Sequence, residues 1–375
     1  MNSIGADIRE ESRSRPHFGF SNRQSFVLVM VMLFFGTIHQ STLGQKPVTS
    51  SHTAALFITL LSALGFLGLN LFLLRSAGHL ALPELLPSLL PKPLAAALLL
   101  FFALTQLLYS GLSVRYQSEG IAAFMLEKTP FDVLVAALLI TAILLLQSGL
   151  RQLTRVSTLL FWVILLPLIA VFFMAAMQMD WGELASLKDI RTPDLASELQ
   201  KTIPMVFNLQ LVLFLEGHPA KAGRKGLFWA TGVAMTIQCI FFAILVGIFT
   251  LNGLSQLHLP IAELIRVTNA APYSLFERLD VFFLAARTML VVLNLALWLY
   301  AACRCLQGAF ALSDIRILLP IAAVLAFSVS MLGRDVEVLA RLQSFAGLLQ
   351  WIACAGLIPI LAIVAAIRCK GGKMP

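Results

Sequence analysis

Two apolar stretches of this chain carry residues that an ordinary buried helix avoids. The first reads Phe34-Phe35-Gly36-Thr37-Ile38-His39-Gln40. The second reads Leu213-Phe214-Leu215-Glu216-Gly217-His218-Pro219. Glycine in a helix interior costs about 1 kcal/mol and proline about 3. Ionisable groups at membrane depth cost several kcal/mol more. Both stretches therefore read as places where a helix opens. Freed backbone groups persist only where protein or a water-filled cavity covers them. Such groups can bind: helix N-termini favour a carboxylate, and freed carbonyls favour an ammonium group. Gly36, Thr37, Ile38, His39, Phe214, Glu216 and Gly217 are accordingly candidate ligand residues, and a zwitterionic amino acid fits both kinds of group. The plainer alternative is a pair of kinks filled by packing, with His39 bonding a freed carbonyl.

Polar stripes accompany these breaks. Gln106, Ser110, Ser113 and Gln117 recur at helical spacing with Tyr109 beside them. This is either helix–helix glue or a cavity wall, with Tyr109 as a ligand contact. Glu277, Asp280, Arg287 and Asn294 share a face further on. Arg287 sits deep in its apolar run and must find a carboxylate, a carbonyl or water. Glu216 is the acid expected at comparable depth, so an Arg287–Glu216 pair is predicted, either structural or part of the ligand site. No nucleotide loop, metal-ligand cluster or nucleophile triad is present, so neither an enzyme nor a cofactor is expected. The five cysteines lie in or beside apolar runs without a C-x-x-C pair, which argues against metal, redox or disulfide roles.

The elements that must position these residues are membrane helices. The 375 residues are 59% hydrophobic and 12% charged, about half the charge of a soluble domain. Spans of about 20 apolar residues fall near 24–44, 53–74, 94–118, 131–148, 156–178, 201–224, 227–251, 275–303, 314–332 and 344–367. The charged segment 1–23 is no signal peptide and reads as a cytoplasmic tail. Most of the 27 Lys and Arg fall on the N-terminal side of the alternating loops, which puts both termini inside. This bias also explains the net charge of +8, and no nucleic-acid partner is expected. The predicted organisation is an all-α polytopic membrane protein. It has a first five-helix repeat at 24–178, an external loop at 179–200, and a second repeat at 201–367 with an external segment at 252–274. A cytoplasmic tail at 368–375 ends it. An odd number of spans per half, each half opening on a broken helix, predicts an inverted repeat with a midplane site.

The stretch Phe276-Glu277-Arg278-Leu279-Asp280, leading into an apolar helix, resembles the "ERLD" signature of the spore germination permeases. These are the B subunits of GerA-type nutrient germinant receptors. The broken segment Phe214–Gly217, Pro219 and the basic loop Lys221–Lys225 also resemble that family's sixth helix. The family belongs to the amino acid–polyamine–organocation superfamily. The resemblance implies a LeuT-type five-plus-five fold with broken helices one and six, and a structural role for Glu277, Arg278 and Asp280. It further implies a subunit in the spore inner membrane that senses a nutrient such as an amino acid, beside receptor A and C subunits. A proton- or sodium-coupled amino acid permease is the alternative, and a scaffold without ligand is a third. Two departures fall where ligand is expected. Gly36–Gln40 replaces a cleaner Gly-x-Gly break, and an aromatic residue is missing near Arg287.

Overall fold

The computed structural model describes residues 21–39, 49–76, 80–124, 128–188, 192–215, 223–254, 256–257, 263–264, 267, 279–312, 314–332 and 336–370. Regular structure there is helical, with no strand among the described residues. A backbone in hydrocarbon must satisfy its polar groups within its own segment, and apolar runs of this length do so as helices. The helices are α1 (Asn22–His39), α2 (His52–Ser76), α3 (Leu82–Leu89), α4 (Lys92–Phe124), α5 (Phe131–Gln147) and α6 (Leu150–Gln178). They continue with α7 (Thr192–Thr202), α8 (Gly223–Leu254), α9 (Leu279–Phe310), α10 (Leu318–Leu332), α11 (Val336–Trp351) and α12 (Ile358–Lys370). Tighter 3₁₀ segments occupy Trp181–Lys188, Ile203–Phe214 and Ile315–Ile317, and a π turn at Ile352–Leu357 joins α11 to α12.

Among the described residues, seven helical stretches are long and apolar enough to cross a membrane: His52–Ser76, Lys92–Ala122, Leu150–Gln178, Arg224–Leu254, Val281–Phe310, Ile315–Leu332 and Arg341–Arg368. Asn22–Leu33 and Phe131–Gln147 are apolar but shorter. The protein is an integral membrane protein. The region read as span six differs most from expectation. Thr192–Thr202, assigned to a polar external loop, is helical and runs directly into the 3₁₀ segment Ile203–Phe214. A 3₁₀ helix rises about 2.0 Å per residue, so this segment covers about 24 Å. It ends at Leu215, which is extended with φ −74° and ψ 129°.

The core is built on α4 and α9, the most extensively packed helix pair. α9 is also the most buried span, with Trp298 fully enclosed. α1 packs chiefly on α8, and α2 packs on α8, α7, α12 and the 3₁₀ segment. Cross-contacts set the directions. His52 pairs with Glu198, Thr59 with Thr202, and Asn70 with the Leu209 carbonyl. α2 therefore runs parallel to α7 and the 3₁₀ segment. His52 also meets Phe242, far along α8, so α8 runs the opposite way. α1 runs parallel to α8, because Asn22 bonds Gly226 at one end and Leu33 bonds Gln238 further on. Gly226 is required where the two backbones meet, since a Cβ there would overlap the Asn22 carbonyl.

Candidate functional site

Three amide side chains from three different elements converge on one turn of α1. Asn294 Nδ2 on α9 donates to the Val31 carbonyl at 3.3 Å and the Met32 carbonyl at 3.5 Å. Asn208 Nδ2 on the 3₁₀ segment donates to the Met32 carbonyl at 3.2 Å. Gln238 Nε2 on α8 donates to the Leu33 carbonyl at 3.1 Å. All three amides are buried. In a regular helix these carbonyls bond the N–H groups of Phe35, Gly36 and Thr37. Side-chain donors are thus concentrated on the turn that the glycine was expected to open. With their N–H groups committed, Asn294 Oδ1 and Gln238 Oε1 remain buried without a hydrogen-bond partner.

The helical backbone of α1 continues through Gly36 and Thr37 to His39. The expected break therefore does not interrupt the helix at Gly36, and the rest of the stretch lies outside the described residues. The 3₁₀ segment ends at Leu215, and the rest of the expected sixth-span break lies outside the described residues. Glu216 and Gly217 lie outside the described residues, as do Glu277 and Arg278. Asp280 is in the first turn of α9.

Tyr109 and Trp298 stack at 5.1 Å with their rings 10° apart, which joins α4 to α9. A Cβ placed on Gly120 would lie 3.8 Å from Arg287 Nη2 and 4.0 Å from Nη1. These two contacts fix an antiparallel register that sets Ser113 opposite Asn294. The α4 stripe read from the sequence is therefore a buried inner face. Gln106, Ser110, Ser113 and Gln117 are all buried there. Ser110 bonds back to the Gln106 carbonyl. Both polar atoms of the Gln106 side chain, Ser113 Oγ and Gln117 Nε2 have no partner.

Depth separates the predicted site residues into two groups. Asn294 and Asn208 both meet Met32. From Met32, Gly36 lies about 6 Å further along α1. From Asn294, Arg287 lies about 10.5 Å along α9 in the same direction. Phe214 lies about 12 Å from Asn208 in the opposite direction. It is fully buried and packs edge-on against Phe102, at 5.7 Å between ring centroids. Phe102 and Gly120 are about 27 Å apart along α4. Arg287 thus rests by one end of α4 and the end of the 3₁₀ segment by the other. Gly36 and Phe214 lie on opposite sides of the level at which Asn208 meets Met32. The expected Arg287–Glu216 pair lies outside the described residues, because Glu216 is not among them. Arg287 is 5% exposed, and its Nε has no hydrogen-bond partner.

Sequence reasoning missed two groups. Asn208 and Gln238 are isolated amides without periodic partners, and only packing reveals their target. His52 and Glu198 form a buried pair at 2.6 Å, both with fully enclosed side chains. Thr49 adds its N–H and hydroxyl to Glu198 Oε1, each at 3.2 Å. This pair ties α7 to the start of α2. A small cavity between α1, α6 and α9, lined by Met30, Val31, Phe161, Ile164, Leu165, Leu168 and Leu290, is apolar throughout and offers a polar ligand nothing. No cluster of metal-ligating side chains occurs among the described residues.

The fold and the site define a helical membrane protein with buried polar side chains between its packed helices. Among solved structures, the chain is similar to MHP1, a nucleobase-cation-symport-1 family transporter in a closed conformation with bromovinylhydantoin bound. The TM-score is 0.51 at 12% identity, over 93% of this chain and 90% of that one. This likeness shows the fold, which is LeuT-like. Among curated proteins none matches. The family model of the spore germination proteins matches residues 20–337. The chain belongs to the spore germination protein family.

Proposed function

We propose that this protein is the nutrient-sensing B subunit of a spore germination receptor, and that it binds a small ligand, an amino acid, beside the α1 turn. The observation that carries the reading is the convergence of Asn208, Gln238 and Asn294 on Val31–Leu33. Each amide offers a donor and an acceptor, and two of the acceptors are buried and unused. A centre with unmet hydrogen-bonding capacity among helices of separate elements fits a small polar ligand. The ligand contacts in this reading are Gly36, Thr37, Ile38, His39, Tyr109 and Arg287. Phe214, Glu216 and Gly217 act at the far side of the centre, where the sixth helix opens. The architecture is ten spans in two inverted repeats of five, with α7 and the 3₁₀ segment forming the first part of the broken sixth. The termini are cytoplasmic, the membrane is the spore inner membrane, and the partners are the receptor A and C subunits.

The test is a thermal-shift screen of the purified full-length chain in detergent against amino acids, sugars and nucleosides. A ligand at 100 times its Kd stabilises by about 2.7 kcal/mol. One or a few amino acids should raise the transition, and Asn294→Leu should abolish that rise. A screen in which no amino acid acts removes the reading. The transporter fold favours a second reading, a coupled amino acid permease. Accumulation of the stabilising amino acid in proteoliposomes would select it over a pure sensor.

A further inference from the structure

We infer that Arg287 is the anchor for an anionic group, a carboxylate or a small anion of similar charge, bound between α4 and α9. The inference rests on the ligand-binding reading above and adds the chemical class of one end of the ligand.

The argument is an imbalance of donors and charge. Arg287 is a buried cation, and among the described residues it has no ion pair and no hydrogen-bond partner. Guanidinium is always charged and presents five N–H donors in a flat fork. A lone charge at this depth is retained only where something answers it. The acid beside Gly120 does not do so, because Glu119 is held by Arg115 at 2.9 Å. The facing surface of α4 adds donors rather than acceptors. Gln117 Nε2 and Ser113 Oγ are buried without partners, and they share a helical face with Gly120 at steps of three and four. Gly120 itself leaves the guanidinium uncovered, since its missing Cβ would be in ordinary contact with both terminal nitrogens. Unmet donors and one unmet positive charge on facing helices define a site for a negatively charged acceptor. A carboxylate fits the guanidinium fork with two parallel N–H···O bonds.

The experiment is a thermal-shift titration of the full-length chain in detergent, with wild type, Arg287→Met, Arg287→Lys and Gly120→Leu. The probes are L-alanine, L-leucine and L-glutamate, each beside its C-terminal amide, together with sodium acetate and sodium chloride against sodium gluconate. Monodisperse elution and a cooperative melt establish that each variant is folded. Gly120→Leu approaches the site without touching the charge, should Arg287→Met fail that check. The expected result is stabilisation of wild type by at least one free acid and loss of the effect with its amide. The apparent affinity should fall at least tenfold in Arg287→Met and Gly120→Leu, and less in Arg287→Lys. Acetate or chloride acting alone, only when Arg287 is present, would support the anchor while removing the amino-acid reading. Equal stabilisation of wild type and Arg287→Met by free acids, or by acids and amides alike, would overturn the anchor and leave the pocket reading standing. No response to any probe would overturn both.

Discussion

Arg287 and Asn294 share one face of α9 and occupy opposite situations. Asn294 has its N–H groups committed to α1, whereas Arg287 has no committed partner. Two outcomes follow at this scale. Arg287→Met in the ligand-free chain should stabilise, because a buried charge without a partner gives way to an apolar side chain. A double-mutant cycle of Arg287→Met with Glu216→Gln tests the pair expected from the sequence, and coupling below about 0.5 kcal/mol would remove it. Denaturant or thermal unfolding in detergent reads both, and a coupling of several kcal/mol would support the direct pair. Asn294→Leu should destabilise by about 1 kcal/mol through loss of its hydrogen bonds to the Val31 and Met32 carbonyls, which keep their helical partners. The stripe containing Arg287 and Asn294 was legible in the sequence because helical spacing exposes it. Asn208 and Gln238 were not, since a single amide in an apolar run carries no period.

At the scale of elements, the contact of α1 with α8 and the tie of α7 to α2 hold the centre together. Gly226→Ala should separate α1 from α8 and cost about 1–3 kcal/mol by overpacking. Gly232→Ala, on the same helix with open space around it, should instead stabilise by about 1 kcal/mol through helix propensity. The difference between the two melting shifts measures the contact, and similar shifts would show that Gly226 is not a contact residue. His52→Leu should cost about 3–5 kcal/mol, because it removes the imidazole from the enclosed pair and leaves Glu198 to the Thr49 donors. The helices themselves were legible from apolar run length. The start of the sixth was not, because Thr192–Thr202 has the polar composition of a loop and becomes helical against α2.

The described helices turn large apolar side chains outward, with Leu159 and Trp229 each 71% exposed, and keep a polar stripe inside the apolar core of α4 and α9. That arrangement is what a bilayer selects, since exposed leucine costs nothing in hydrocarbon. The proposed topology is testable at this scale. Single cysteines at Ser197 and Lys225, both exposed, should label from the external and the cytoplasmic face respectively. The reverse pattern would invert the topology.

Composition, run length and loop charge determined by themselves that this chain crosses a membrane repeatedly and where most of its helices lie, because the hydrophobic effect acts on each segment separately. The end of the 3₁₀ segment at Leu215 falls just before Glu216, Gly217 and Pro219, where the sequence carries helix-breaking residues. Tertiary structure alone decided which polar residues share a centre. Depth depends on where each helix starts, how it tilts and whether it tightens to 3₁₀. A 12-residue 3₁₀ segment carries Phe214 about 6 Å further from its start than an α-helix would. That shift, added to opposite helix directions, carries the end of the segment away from the level of Gly36, while the antiparallel packing of α4 and α9 sets Arg287 beside Gly120.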